Sequence, residues 1–374
     1  MYDSARLVGR ETVTPGGRHA FATLDAMRGV AALGVVAMHF RQLPDPMWQG
    51  LYAFKSGYLA VDLFFVLSGF VLGFAYDERL RHGMALADFT AVRLIRLMPM
   101  IVFGAMVAVV AQLLSPEAGP GPLAIGTGLS IVVVPNPWSW NRYMFPLNVP
   151  QWSLFLELAI NLAYAAAILL VSRRWLAALI GGGALAIVGC AITYKGVNGG
   201  VAWDTLHVGM ARVIFSFAVG LALARTRHRW QPSCPSLPGW GVVAALALAL
   251  MVPCPMRYRW LYDAGFVIVG SPALVILGSV ASTGVRTGRV AALLATMSYP
   301  LYAIHMPIVE LMKRVDTAGT IEGRWIAIAA LLCLPPISVA LARWYDEPVR
   351  RWLSALRRAR VARGAPALDA PLPT

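Results

Sequence analysis

Charge is what this sequence has least of. Only 13% of its 374 residues are charged and just 18 are acidic, whereas roughly a quarter of a soluble domain is charged. With 58% hydrophobic residues and a mean hydropathy of +0.65, that scarcity excludes an ordinary water-soluble globule. Cysteine is also sparse. Cys190, Cys234, Cys254 and Cys333 are scattered, which gives neither a disulfide framework nor metal-type spacing, so they read as packing residues and no metal is expected. No internal or inverted repeat and no low-complexity segment is present. The first 22 residues hold no short apolar run followed by a small-residue cleavage site, so no removable signal is expected and the first span should serve as an uncleaved anchor.

Long apolar runs are what the chain has instead. Stretches of about 18 to 22 apolar residues recur, each able to cross a hydrocarbon core of about 30 Å. They predict an all-α fold, a polytopic transmembrane helical bundle of about ten spans at 24–42, 57–75, 95–115, 151–171, 175–194, 206–225, 239–254, 261–281, 290–311 and 325–343. Abundant Ala and Gly suit close helix approach in lipid, and Gly57, Gly69 and Gly73 read as packing positions. A further run at 123–134 lies between GPGP and PNPW and is too short to span comfortably, so an outer loop or re-entrant piece is expected.

The net charge of +14 follows from topology rather than from nucleic-acid binding, because cytoplasmic loops collect Lys and Arg. With ten spans and the N-terminus inside, inner segments hold 21 Lys and Arg residues against 9 outside. That bias favours both termini in the cytoplasm of a multi-pass protein of the cell (inner) membrane, with the bilayer as its first partner. The expected divisions are a cytoplasmic tail at 1–22, a membrane domain at 23–344 and a basic cytoplasmic tail at 345–374. The oligomeric state is not fixed by any of this.

Against that apolar background the polar residues are conspicuous. Arg28 and His39 share the first span, eleven residues and therefore about 16 Å apart on nearly one helical face. His39, Asp62, Glu157, Arg212 and His305 fall at a similar depth, roughly 5 to 9 Å outward of each span's midpoint, while Arg28 lies inward. Glu157, Asn161 and Tyr164 form one helical stripe, and Ser298, Tyr302 and His305 another. Intramembrane charges are expensive and usually line a cavity or polar pathway, so these residues predict a chamber inside the bundle. Arg93 and Arg96 precede the third span at i and i+3, suited either to lipid headgroups or to an anionic ligand from the cytoplasm. Arg28 alone can snorkel to the inner headgroups, Asp62 can pair with Arg212, and the Trp138–Trp140 cluster and Trp152 suit an outer aromatic belt.

Six segments in order resemble the membrane acyltransferase 3 family: LDAMRGVAALGVVAMH (24–39), GYLAVDLFFVLSGF (57–70), RLIRLMP (93–99), WSLFLE (152–157), SYPLYAIHMP (298–307) and DEPVRR (346–351). The resemblance covers roughly residues 22–352. It implies transfer of an acyl group, commonly acetyl, from cytoplasmic acyl-CoA as co-substrate, with no tightly bound cofactor, to a hydroxyl of a carbohydrate or other envelope acceptor. It implicates Arg28 and His39 in catalysis, Arg93 and Arg96 in donor binding, and Trp152, Ser153 and Glu157 in the site. The text after Glu157 reads LAINLAY, where family members often carry a second acidic and aromatic cluster. Some members also have an appended extracytoplasmic hydrolase-like domain; here the acceptor chemistry is expected to be completed in the membrane domain.

On this reading His39 acts as general base on the acceptor hydroxyl, since an imidazole titrates near operating pH, or as a nucleophile forming an acyl-enzyme. Asp62 or Glu157 orients the ring, Tyr302 or Arg212 stabilises the oxyanion, and Trp152, Ser153, Tyr302, His305 and Arg212 are the candidate substrate-binding residues. The competing class is a proton-coupled transporter or flippase of a polar envelope precursor, which also uses His/Asp/Glu chains but lacks support from paired broken helices. A structural assembly protein leaves the polar layer unexplained.

Overall fold

The computed structural model describes residues 21–43, 54–114, 116–315 and 321–364. The expected N-terminal tail, apart from its last two residues, and the end of the C-terminal tail from 365 lie outside the described residues. Helix dominates, and among the described residues there is no strand beyond two isolated bridges, Tyr143–Ala202 and Pro238–Ser282. In lipid the backbone must bond to itself, which leaves the helix as the natural solution for an open chain.

The first half contains α1 (Ala22–Phe40), α2 (Ala60–Arg81), α3 (Leu86–Leu114), α4 (Pro120–Ile131), α5 (Gln151–Ala166) and α6 (Arg173–Thr193). The second contains α7 (Leu206–Trp230), α8 (Gly239–Met251), α9 (Met256–Gly265), α10 (Ser271–Val280), α11 (Val285–Val315), α12 (Ile321–Leu341) and α13 (Glu347–Gly364). Single π-turns, Phe266–Gly270 and Ala342–Asp346, join α9 to α10 and α12 to α13. Local chemistry sets several ends. Ser172 accepts from the Trp175 amide to cap α6, and Pro120 opens α4 where its missing N–H costs nothing.

Seven helical stretches among the described residues are long and apolar enough to cross a bilayer. This makes the chain a multi-pass membrane protein. Three of the ten expected spans fall on helices outside those seven, each with a visible reason. The 19-residue α1 carries Asp25, Arg28 and His39, α5 stops at Ala166 after 16 residues, and α8 has only 13. Boundaries also moved. α3 begins at Leu86, so Arg93 and Arg96 stand within the helix rather than ahead of it. The last expected span does not stop at 343, because the π-turn carries the helix straight into α13. The 123–134 run forms the 12-residue α4, about 18 Å long and too short to cross.

Packing is built on pairs of helices, chiefly α2 against α7 and α1 against α11. The first pair touches backbone to backbone. A Cβ placed on Gly69 would stand 2.2 Å from the Phe217 carbonyl oxygen, and one on Gly220 would stand 2.1 Å from that of Val66. No side chain fits at either place. Gly29 of α1 meets the Leu294 backbone of α11 in the same manner. Close approach of this kind replaces the hydrophobic drive that lipid cannot supply. Gly220→Ala should therefore destabilise the protein by about 2 kcal/mol or more, read as an earlier thermal transition in detergent. Gly241→Ala, with nothing within 4 Å of its Cβ position, should leave that transition in place.

Candidate active site

A narrow cavity of about 80 Å³ lies inside the bundle between α1, α2, α3, α5 and α11. Its polar wall is assembled from distant parts of the sequence: Arg28 from α1, Ser68 from α2, Arg93 and Arg96 from α3, Ser153 and Glu157 from α5, and Ser298, Tyr299 and Tyr302 from α11. Arg93 is 6% exposed and donates to Glu157 at 3.0 Å. Ser68 donates to the same carboxylate oxygen at 2.9 Å. Among the described residues, Arg28 and Arg96 have neither an ion pair nor a side-chain hydrogen bond. Three guanidinium groups thus face one carboxylate, and the wall is net positive. A guanidinium held this way offers planar, paired donors to phosphate or carboxylate.

A second, wider cavity of about 530 Å³ shares Arg28, Leu67, Val71, Arg96 and Tyr299 with the first. The two adjoin there.

The first cavity reaches Tyr302, whose hydroxyl lies 2.7 Å from Ser153 Oγ and donates to the Pro150 carbonyl at 3.3 Å. Phe64 meets the Tyr302 ring edge-on, centroids 5.8 Å apart. Neither histidine lines the cavity. Tyr302 contacts His305 at 5.5 Å between ring centroids, and His305 contacts His39 at 5.0 Å. His305 is fully buried. Its Nδ1–H donates to the Tyr302 carbonyl at 2.7 Å, and its Nε2 has no partner. His39 Nδ1–H donates to the Val35 carbonyl at 2.9 Å. With both Nδ1 atoms donating, the lone pair of each neutral ring resides on Nε2.

The five residues expected at one depth do not form a single cluster. Asp62 and Arg212 are joined in a buried, two-bond pair at 3.0 and 2.7 Å, with Arg212 also donating to the Tyr58 and Gly199 carbonyls. Glu157 belongs to Arg93 and Ser68. His39 and His305 belong to each other. No carboxylate bonds His39: Asp62 and Glu157, the two expected orienting groups, are engaged elsewhere, and Val35 holds the ring. Trp152 departs from the expected outer belt. It is 5% exposed, with the Arg212 guanidinium 5.5 Å above its ring. Of the two stripes, Glu157 and Asn161 face Ser68, while Tyr164 donates to Asp77 instead. Ser68 and Tyr299 were not anticipated. Ser68 sits in an apolar run with no periodic signal, and its partner is 89 residues away. Among the described residues no group of three or more His, Cys, Asp or Glu side chains is placed to hold a metal.

Fold and site together define a multi-pass helical membrane protein with an internal, positively charged cavity and, beyond Tyr302, a buried His305 in contact with a half-buried His39. Residues 21–343 match the acyltransferase 3 family, whose profile describes an acyltransferase domain. The chain belongs to this family of acyltransferases. Among relatives, "Protein 2 in picA locus" of Rhizobium radiobacter is 39% identical over 163 residues, covering 39% of this chain and 81% of that protein. The peptidoglycan O-acetyltransferase OatA of Listeria monocytogenes is 24% identical over 359 residues, covering 88% of this chain. The chain spans 56% of OatA's length. No solved structure matches the chain.

The Asp62–Arg212 pair makes a prediction of its own. Asp62→Asn leaves a buried guanidinium without its counter-charge, which costs about 3 kcal/mol or more. The expected result is a marked drop in the detergent unfolding temperature, with the conservative Asp62→Glu losing less.

Proposed function

We propose that the protein is an integral membrane O-acetyltransferase that carries an acetyl group from cytoplasmic acyl-CoA to a hydroxyl of a carbohydrate or envelope glycan. In this reading it sits in the cytoplasmic membrane with both termini inside, and α1, α5 and α8 complete a set of ten crossings. The 21-to-9 distribution of Lys and Arg favours that orientation. The observation that carries the reading is the cavity itself. Arg28 and Arg96, which form no ion pair or side-chain hydrogen bond among the described residues, stand beside the paired Arg93 at one end, and the Tyr302–His305–His39 series begins at the other.

The donor phosphates rest near Arg93 and Arg96, and the pantetheine arm extends past Arg28. Because Phe64 and Tyr302 lie at the inner end, the thioester meets His39 only after those rings turn aside. The acceptor hydroxyl then attacks the thioester carbonyl carbon. A C–O bond forms, the C–S bond breaks, and the hydroxyl proton passes to His39 Nε2. The departing thiolate takes that proton, which leaves neutral His39 and free CoA. Tyr302, held by Ser153, is placed to donate to the developing oxyanion.

His39→Ala should reduce acetyl transfer at least about 100-fold, the scale of a lost general base, at unchanged membrane abundance. The checks are release of free thiol from acetyl-CoA by protein in nanodiscs, and mass spectrometry of surface glycans for the added acetyl group. Wild-type rates in that variant overturn the assignment. Arg96→Gln should raise KM for acetyl-CoA by about tenfold, as expected for one charge-assisted contact, with a smaller change in kcat. A protein that moves solute while releasing no CoA is a transporter.

A further inference from the structure

The segment DEPVRR is not used in the mechanism above, yet the fold brings it to the wide cavity. At the π-turn Ala342–Asp346 and the start of α13, Ala342, Asp346, Glu347 and Arg350 line that cavity together with Arg28 and Arg96. Such π-turns add a residue to the helical frame and occur often at functional sites. The start of α13 is anchored there by contacts with α3. Tyr345 donates to the Pro99 carbonyl at 3.2 Å, and Arg357 pairs with Asp88 at 2.7 Å.

Hydrogen bonding points to an anion. Arg350 donates through Nη2 to Asp346 Oδ2 at 2.9 Å, which fixes the guanidinium's plane. Its Nε is closed to solvent and has no partner among the described residues. A buried donor left unmet costs free energy that a ligand oxygen would recover. Three carboxylates also face this space. Asp346 is held by Arg350 and Glu347 by Arg351, and Asp25 stands one turn from Arg28 on α1. Arg28 and Arg96 bring two guanidinium groups that, among the described residues, are hydrogen-bonded to no carboxylate. The volume, about 530 Å³, suits a nucleotide better than a single ion.

We propose that this vestibule is a subsite for the phosphorylated nucleotide of the donor, and that Arg350, set by Asp346 and the π-turn, binds one of its phosphates. The inference rests on the acyl-CoA reading given above. It makes Arg350 a donor-binding residue and divides the donor between two compartments. The nucleotide and its outer phosphate lie in the vestibule, the diphosphate near Arg96 and Arg93 where the two cavities adjoin, and the pantetheine arm in the narrower cavity.

Two donors test it: acetyl-CoA, and the acetyl thioester of N-acetylcysteamine, which carries no phosphate. Arg350→Gln should raise KM for acetyl-CoA by about tenfold and leave turnover of the short thioester unchanged. Arg358→Gln, an exposed position on the same helix, should match wild type with both. Equal loss with both donors at normal protein levels overturns the subsite and assigns Arg350 a structural role. An unchanged KM for acetyl-CoA overturns it as well. Wild-type protein that consumes neither thioester overturns the acyl-CoA reading, and the subsite falls with it. Wild-type turnover of both thioesters with no discrimination by Arg350→Gln removes the subsite alone.

Discussion

The Arg212–Asp62 ion pair is the interaction on which the arrangement depends. It joins α7 to α2 in a place closed to solvent, with the side chains 2% and 0% exposed. Its strength comes from completeness. Two bonds meet the carboxylate, the remaining donors reach the Tyr58 and Gly199 carbonyls, and the Trp152 ring covers the guanidinium face. A buried pair repays its desolvation only when its other hydrogen bonds are also met. That condition explains why loop residues 58 and 199 are drawn into the bundle. About two turns further along, the Gly69 and Gly220 contacts bring the same two helices to backbone distance. The pair and the glycines together fix how α2 turns, and therefore where Phe64 and Ser68 face.

From that fixed helix, a distinction among the intramembrane charges becomes visible. Arg212 has spent its donors on the protein. Arg93 has given part of its own to Glu157. Arg28 and Arg96 have no such partner, and both line the cavities. In an apolar medium an unpaired guanidinium persists only where water or a ligand reaches it. The gradient from fully paired to unpaired charge thus separates residues that hold the bundle from residues available to a ligand. Depth alone did not make that separation.

Much of this was legible in the sequence, because hydropathy reports span positions directly and Arg28, His39, Arg93 and Arg96 are conspicuous in an apolar text. The resemblance of six ordered segments also identified the family. Partnership was not legible. Asp62 and Glu157 carry the same charge at the same inferred depth, yet one meets Arg212 and the other Arg93, and no spacing along the chain encodes that choice. Ser68 gave no signal, being a single small polar residue in an apolar helix. The π-turn at 342–346 was likewise hidden, since its backbone shift leaves composition unchanged, and the segment after it read as a basic tail. Helix lengths were overestimated at α5 and α8, where apolar residues continue past the point at which turns end the helix. Trp152 was misplaced because aromatic residues near a span's outer end usually meet the interface, whereas here Arg212 beneath the ring supplied a reason for burial.

The remaining step concerns why the cavity and the histidines are separated. On the proposed reading a thioester must reach His39, while water beside it would divert the acyl group to hydrolysis. Tyr302, tied to Ser153 and the Pro150 carbonyl, and Phe64 against its ring, form that boundary. The boundary also lies in a deformable part of α11. Pro300 and Pro307 bracket Tyr302 and His305, and each removes a backbone donor that an ordinary helix would use. Helices bend where that ladder is interrupted. A modest bend between the prolines would move Tyr302 and His305 together, since the His305 ring is bonded to the Tyr302 carbonyl. Access and alignment are then one motion. On that reading, donor entering the arginine-lined cavity supplies the interaction energy for it, and the thioester meets His39 only once that motion has occurred.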